Sequence, residues 1–141
     1  MLVREIMSHD IVSLNSDDTI ERAAQLMKQH DIGSIPVCSN NQVVGIITDR
    51  DITLRNVASG QDTQQKVRDI MSSNPVVGNP DMNVQDAARI MSEKQIRRLP
   101  IVENNSIVGI VSLGDISLEP SQQRCAESAL KNISKDAGLQ S

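Results

Sequence analysis

The feature that most limits what this chain can fold into is a period of 64 residues. Shifted by that amount, residues 3–54 align with 67–118 without a gap, and 21 of the 52 pairs are identical. Roughly three would match by chance at average residue usage. Most of the other pairs are conservative, such as Glu5 with Asp69, Ile20 with Val84 and Thr48 with Ser112. Self-similarity on this scale means one structural unit written twice.

Each copy follows the same plan. A short lead-in, "VREIMS" or "VRDIMS", reaches an extended stretch around Ile11–Leu14 or Val76–Gly78. Ile20, Ala23, Ala24 and Met27 then recur at the spacing of one buried helical face, as do Val84, Ala87, Ala88 and Met91. Asp18 with Glu21 reads as a capping box at the start of the first helix. Two β-branched runs follow, "SIPVC" and "VVGII", then "LPIV" and "IVGIV" in the second copy. They are joined by Asn40-Asn41 and Asn104-Asn105, pairs that tolerate positive φ and so predict tight hairpins. A second helix begins at the polar cluster that closes each copy.

The expected class is therefore α+β, with two strand-helix-strand-strand-helix repeats. A unit of 52 residues buries only a modest fraction of its surface and is marginal alone. Two are expected to pack with pseudo-two-fold symmetry, leaving two equivalent clefts at their interface, a favoured place for small-molecule sites. The boundaries read as 1–60 for the first repeat, 61–66 for a polar linker, 67–119 for the second repeat and 120–141 for a helical tail. In the tail, Ser121 is the expected N-cap and Gly138 lies just past the helix end. Cys125, Ala126, Ala129, Leu130 and Ile133 form its apolar stripe, expected to dock on its own protein or on a dimer mate, with a dedicated partner-binding helix as the alternative.

The polar cluster carries the functional reading. "GIITDRDI" ends the first copy and "GIVSLGDI" the second. Gly45 permits close backbone approach, Thr48 closes the strand, and Asp51 falls in the first helical turn. A hydroxyl and a carboxylate three positions apart can converge on one ligand, the hydroxyl on a phosphate oxygen and the carboxylate on vicinal ribose hydroxyls. Helix-start amides would add anion affinity. The same residues can also simply cap their helix.

The gapless pair, with these two closing motifs and "IGSIPV" and "IRRLPI" between, resembles a tandem cystathionine-β-synthase (CBS) domain pair, the Bateman module, over residues 1–119. That resemblance implies a regulatory role and clefts for AMP, ADP, ATP or S-adenosylmethionine. It implies that Thr48 and Asp51 serve one cleft and Ser112 and Asp115 the other. It further implies that Met7, Ile11, Val12, Ile32, Gly33 and Ser34 wall the Asp115 cleft, and that Met71, Pro75, Val76 and Ile96 wall the Asp51 cleft. Backbone amides near Ser34 or Arg98 would read the adenine edge. Arg97 and Arg98 stand where Gly33 and Ser34 stand in the first copy, and guanidinium suits a phosphate clamp.

Composition narrows the alternatives. The chain has no Phe, Tyr or Trp and a net charge of −4. It therefore lacks base-stacking platforms and gains no non-specific affinity for nucleic acid or anionic membranes. No signal-peptide pattern or membrane-length apolar run is read in it. The two cysteines, Cys38 and Cys125, form no CxxC pair and read as reduced and buried, in keeping with a cytoplasmic protein. His9 and His30 have no partner motif for zinc, and no P-loop, GxGxxG or Ser-His-Asp spacing occurs. Asp49 beside Asp51 suggests Mg²⁺, but the second copy has Leu113 there. Catalysis, a required cofactor and a metal are not expected. The expected partners are an adenosine compound, a second copy of the chain in a homodimer, and a regulated protein.

Overall fold

The computed structural model describes residues 1–140, with side-chain surroundings through 134. Its Cα geometry divides into two compact units, Val12–Pro75 on one side and Met1–Ile11 with Val76 onward on the other. These units are not the sequence repeats, because the two lead-ins have changed places.

In the Val12–Pro75 unit, β1 (Leu14–Asn15) lies parallel to β2 (Ser34–Ser39), which is antiparallel to β3 (Gln42–Thr48). Helix α1 (Ile20–His30) covers the sheet with Ile20, Ala23, Leu26 and Met27. The buried set differs from the expected stripe at one place: Ala24 is exposed and Leu26 is buried. The cap also differs. Thr19, not Asp18, is the N-cap, its Oγ1 accepting from the Arg22 N–H at 3.1 Å. Asp18 instead accepts from the Asn15 N–H at 2.8 Å.

After β3 come a single turn, α2 (Asp49–Asp51), and a π-helical stretch, Ile52–Val57, in which Ala58 N–H donates to Thr53 O at 2.8 Å. Asn56 lies fully buried in that stretch. Its Nδ2 donates to the Asp62 carbonyl and to Gln65 Oε1, at 3.0 and 2.9 Å, and so ties down the linker.

The other unit repeats the hairpin. Helix α3 (Val84–Lys94) precedes β4 (Arg98–Glu103) and β5 (Ser106–Ser112), and α4 (Leu113–Ser117) follows. The hairpin turns match: φ is 52° and 65° at Asn40-Asn41, and 52° and 64° at Asn104-Asn105. A register shift falls after Val37 in one hairpin and after Ile101 in the other. The expected strand at Val76–Gly78 contracts to one bridge, Gly78 with Ile101. Pro120 sits in a one-turn lead-in, Pro120–Gln122, where its missing N–H is harmless. Ser121 falls inside that turn rather than capping the helix. Helix α5 (Gln123–Gln140) runs through Gly138 instead of stopping before it. It docks on its own unit, burying Ala126, Ala129 and Ile133 beside Ala88 and Met91. Leu130, expected in the buried stripe, is exposed.

The lead-ins complete the sheets. Val67 and Ile70 are buried in the Val12–Pro75 unit, and Val3 in the other. Ser72 exchanges two backbone hydrogen bonds with Ile46, at 3.1 and 2.9 Å, and Ser8 does the same with Ile110, at 2.8 and 3.0 Å. Two ion pairs repeat the exchange: Arg68 with Asp17 at 2.7 Å, and Arg4 with Asp81 at 2.6 Å. This contact explains the glycines. A Cβ on Gly45 would stand 2.5 Å from Met71 Sδ and 2.8 Å from the Ser72 carbonyl; on Gly109 it would stand 2.7 Å from Met7 Sδ and 3.0 Å from the Ser8 carbonyl.

Candidate functional site

Each hairpin delivers a Ser/Thr-x-x-Asp turn at the end of its second strand. In the Val12–Pro75 unit, Thr48 Oγ1 accepts from the Asp51 N–H at 3.0 Å, and Asp51 Oδ2 accepts from the Thr48 N–H at 2.9 Å. Ser112 and Asp115 form the same reciprocal pair at 3.0 and 3.0 Å. Both are complete capping boxes, so the bland reading of these residues is realised in the fold. It does not exhaust them. Among the described residues, the other carboxylate oxygen of each Asp and the hydroxyl proton of Thr48 and Ser112 have no partner. One acceptor and one donor per turn remain for a ligand.

Hairpin pairing decides what surrounds each turn. Ser34 is the register partner of Thr48, and the Gly33 carbonyl accepts from the Asp49 N–H at 2.9 Å. Ile32, Gly33 and Ser34, read from sequence as walls for Asp115, thus stand next to Thr48 in their own unit. Arg98 is likewise the partner of Ser112, and the Arg97 carbonyl accepts from the Leu113 N–H at 3.0 Å. Ile96, read as a wall for Asp51, immediately precedes Arg97 and packs on the core that holds Val111 and Leu113. The reason is simple: an antiparallel hairpin returns the end of its second strand to the start of its first.

Of the remaining candidates, Met71 and Pro75 lie in the unit of Asp51, with Met71 over Gly45. Met7 and Ile11 lie in the unit of Asp115, with Met7 over Gly109. Val12 packs on the core of the first of these units and Val76 on that of the second.

Arg98 is the most unusual side chain at either turn. Its Nη1 is buried without a hydrogen-bond acceptor. Burial lowers its pKa from the ordinary Arg value, and the neighbouring Asp115 charge acts in the opposite sense. A buried guanidinium N–H without an acceptor is costly, and an anionic oxygen relieves that cost. Arg97 is exposed. Sequence reasoning found this pair and weighed Asp49 only as a Mg²⁺ ligand, whereas its carboxylate lies close against Gly33.

Elsewhere, Cys38 and Cys125 are free thiols whose pKa burial raises, which keeps them protonated and poorly reactive. Among the described residues, no cluster of three or more His, Cys, Asp or Glu could hold a metal ion, and no helix is long and apolar enough to cross a membrane.

Known proteins share this fold and sequence pattern. The family profile described as "CBS domain" matches twice, at residues 3–56 and 67–120. The CBS domain-containing protein YhcV of Bacillus subtilis is 46% identical over 132 residues, covering 94% of each chain. The crystal structure of Hypoxic Response Protein I, solved with two coordinated zinc ions, superposes with a TM-score of 0.78 at 30% identity, covering 84% of this chain and 98% of that one. The CBS domain pair of protein MJ0100, solved in complex with 5′-methylthioadenosine and S-adenosyl-L-methionine, gives 0.73 at 31% identity, covering 84% and 94%.

Proposed function

The chain belongs to the CBS domain family, and from that premise we propose that it is a non-catalytic regulatory module binding adenosine-containing ligands at the Thr48–Asp51 and Ser112–Asp115 turns. AMP, ADP, ATP and S-adenosylmethionine are the candidates. The observation that carries this reading is the buried, acceptorless Nη1 of Arg98 beside Asp115. A fold with no use for an anion there would gain by leaving the position as Ser, as the first repeat does at Ser34. The free carboxylate oxygen of each Asp suits ribose hydroxyls, and the Thr or Ser hydroxyl can donate to a phosphate oxygen. The adenosine compounds bound by the MJ0100 domain pair support the same ligand class.

In this reading the module works as a cytoplasmic homodimer and passes its liganded state to a regulated protein. Exposed Leu54, Val57 and Leu118 supply apolar surface for self-association. A second reading, an oligomerisation module with vestigial clefts acting through its C-terminal helix, draws on two observations. The Thr, Ser and Asp side chains of both turns have a structural role as complete capping boxes, and Leu130 of α5 is exposed.

A thermal-shift series with AMP, ADP, ATP, S-adenosylmethionine and NAD, run beside sedimentation, separates the two. A ligand at one hundred times its dissociation constant adds about 2.7 kcal/mol of stability, a shift of several degrees. The sedimenting species should have twice the 15.4 kDa chain mass. A dimer with a flat response to every compound would sink the nucleotide reading and leave the second. A monomer would remove the homodimer from both.

A further inference from the structure

The two turns differ in charge at matched positions. The second repeat has Arg97 and Arg98 at the start of β4, where the first has Gly33 and Ser34 at the start of β2. At the turn itself the asymmetry reverses, with Asp49 in the first repeat and Leu113 in the second.

Asp49 is exposed, but its carboxylate is held over Gly33. A Cβ built on Gly33 would lie 3.1 Å from its Oδ2 and 3.4 Å from its Cγ. Two hydrogen bonds hold it there: its own N–H donates to the Gly33 carbonyl at 2.9 Å, and the Arg50 N–H donates to its Oδ1 at 2.8 Å. The carboxylate therefore borders the space from which the Arg97 side chain grows in the other repeat. Among the described residues, Arg50 makes no ion pair with Asp49 or Asp51. One turn thus presents two carboxylates, and the other a single carboxylate with a half-buried guanidinium whose Nη1 lacks an acceptor.

We propose that the two turns sort adenosine compounds by charge, with Asp49 and Arg98 as the residues that set the sign. The Ser112–Asp115 turn takes a phosphorylated compound, whose oxygens satisfy Arg98. The Thr48–Asp51 turn takes one without negative charge, a bare nucleoside or a sulfonium such as S-adenosylmethionine. A phosphate monoester at neutral pH carries about −1.5 to −2 charge, and like charges juxtaposed at a binding site oppose binding strongly. The nucleoside contacts are shared, because Thr48 with Asp51 and Ser112 with Asp115 have the same geometry. This inference rests on the nucleotide reading above.

The test is calorimetry of the full chain with adenosine, AMP and S-adenosylmethionine at low and high salt. AMP should bind once tightly, and a second time at least about tenfold more weakly than adenosine does. Asp49→Asn keeps the acceptor for the Arg50 N–H and removes the charge. It should shift the AMP-to-adenosine affinity ratio of the weaker event by about tenfold in favour of AMP. Arg98→Ala should weaken the tight AMP event and leave the weaker one in place. Added salt should act in opposite directions, weakening the tight AMP event and strengthening the weak one, because it screens attraction and repulsion alike. Two AMP events of equal affinity in the unaltered chain, or an Asp49→Asn ratio that does not move, would overturn the charge sorting alone. If no compound binds at all, the nucleotide reading falls and takes this inference with it.

Discussion

Ala24 and Ala88 occupy the same place in the two repeats, yet Ala24 faces water and Ala88 is buried under α5. Asn56 and Pro120 are another such pair. The first anchors a π-helical stretch to the linker, and the second turns the chain into α5. Against these differences stand the features that did not diverge: hairpin turns, register shifts, lead-in hydrogen bonds, capping boxes and the Arg–Asp pairs. What was kept is what backbone geometry demands, since positive φ and close approach admit few residue types. What diverged lies at the rim of the two turns and where each repeat leaves its hairpin, toward the linker at Asn56 and toward α5 at Ala88 and Pro120.

That contrast can be broken most forcefully at α5. Ile133→Ala should cost about 2–5 kcal/mol, the range for truncating a buried Ile, read as a lower denaturant midpoint by far-UV circular dichroism. No residue of the Val12–Pro75 unit has this role, and Ala24→Ser should change the midpoint by less than about 0.5 kcal/mol. A negligible effect of Ile133→Ala would mean that α5 is not part of the core of its unit.

The glycines shared by the two repeats sharpen the comparison next. Gly45→Ala and Gly109→Ala should each destabilise by about 1–3 kcal/mol, the usual scale of overpacking. Gly45→Ala should be the worse of the two. Its Cβ meets the Ser72 carbonyl at 2.8 Å, whereas that of Gly109 meets the Ser8 carbonyl at 3.0 Å. The methionine sulfur near each can move aside, but the backbone carbonyl cannot. The reverse ranking would contradict the lead-in geometry.

A smaller effect than these is expected at the first turn. Asp51→Ala removes one half of a capping box and should lower stability by about 1 kcal/mol. Asp115→Ala removes the same half and also the charge beside the half-buried Arg98, so its loss should be the larger of the two. Equal losses would show that Asp115 does nothing for Arg98 beyond what Asp51 does for its own turn.

Much of this was legible in the chain. The period fixed the repeat, and Asn-Asn marked both hairpins because few other pairs accept two positive φ angles. The Ser/Thr-x-x-Asp spacing located both turns. The N-cap was misplaced by one residue because Asp18 and Thr19 are both capping types, and only the backbone angles at Thr19 choose between them. Local pattern did not show that each hairpin brings Ile32–Ser34 to Thr48 and Ile96–Arg98 to Ser112, because that depends on which strand ends the hairpin joins. The lead-in exchange was hidden for a deeper reason. "VREIMS" and "VRDIMS" are so alike that either suits either sheet, and only three-dimensional pairing distinguishes them. Gly138 was taken for a stop, but Gly inside a helix is a cost of about 1 kcal/mol relative to Ala, not a prohibition.

The exchanged lead-ins also run on different clocks. Chains are synthesised at roughly 5–20 residues per second. Val3 leaves the ribosome on the order of 4–16 s before Val84, the helix-starting residue of the core it joins. Val67 is synthesised after Leu14, Ile35 and Ile47 already exist. Two segments of nearly the same sequence therefore face opposite situations during synthesis. The first must stay available until its partners are made, and the second arrives at a hairpin whose residues are all present.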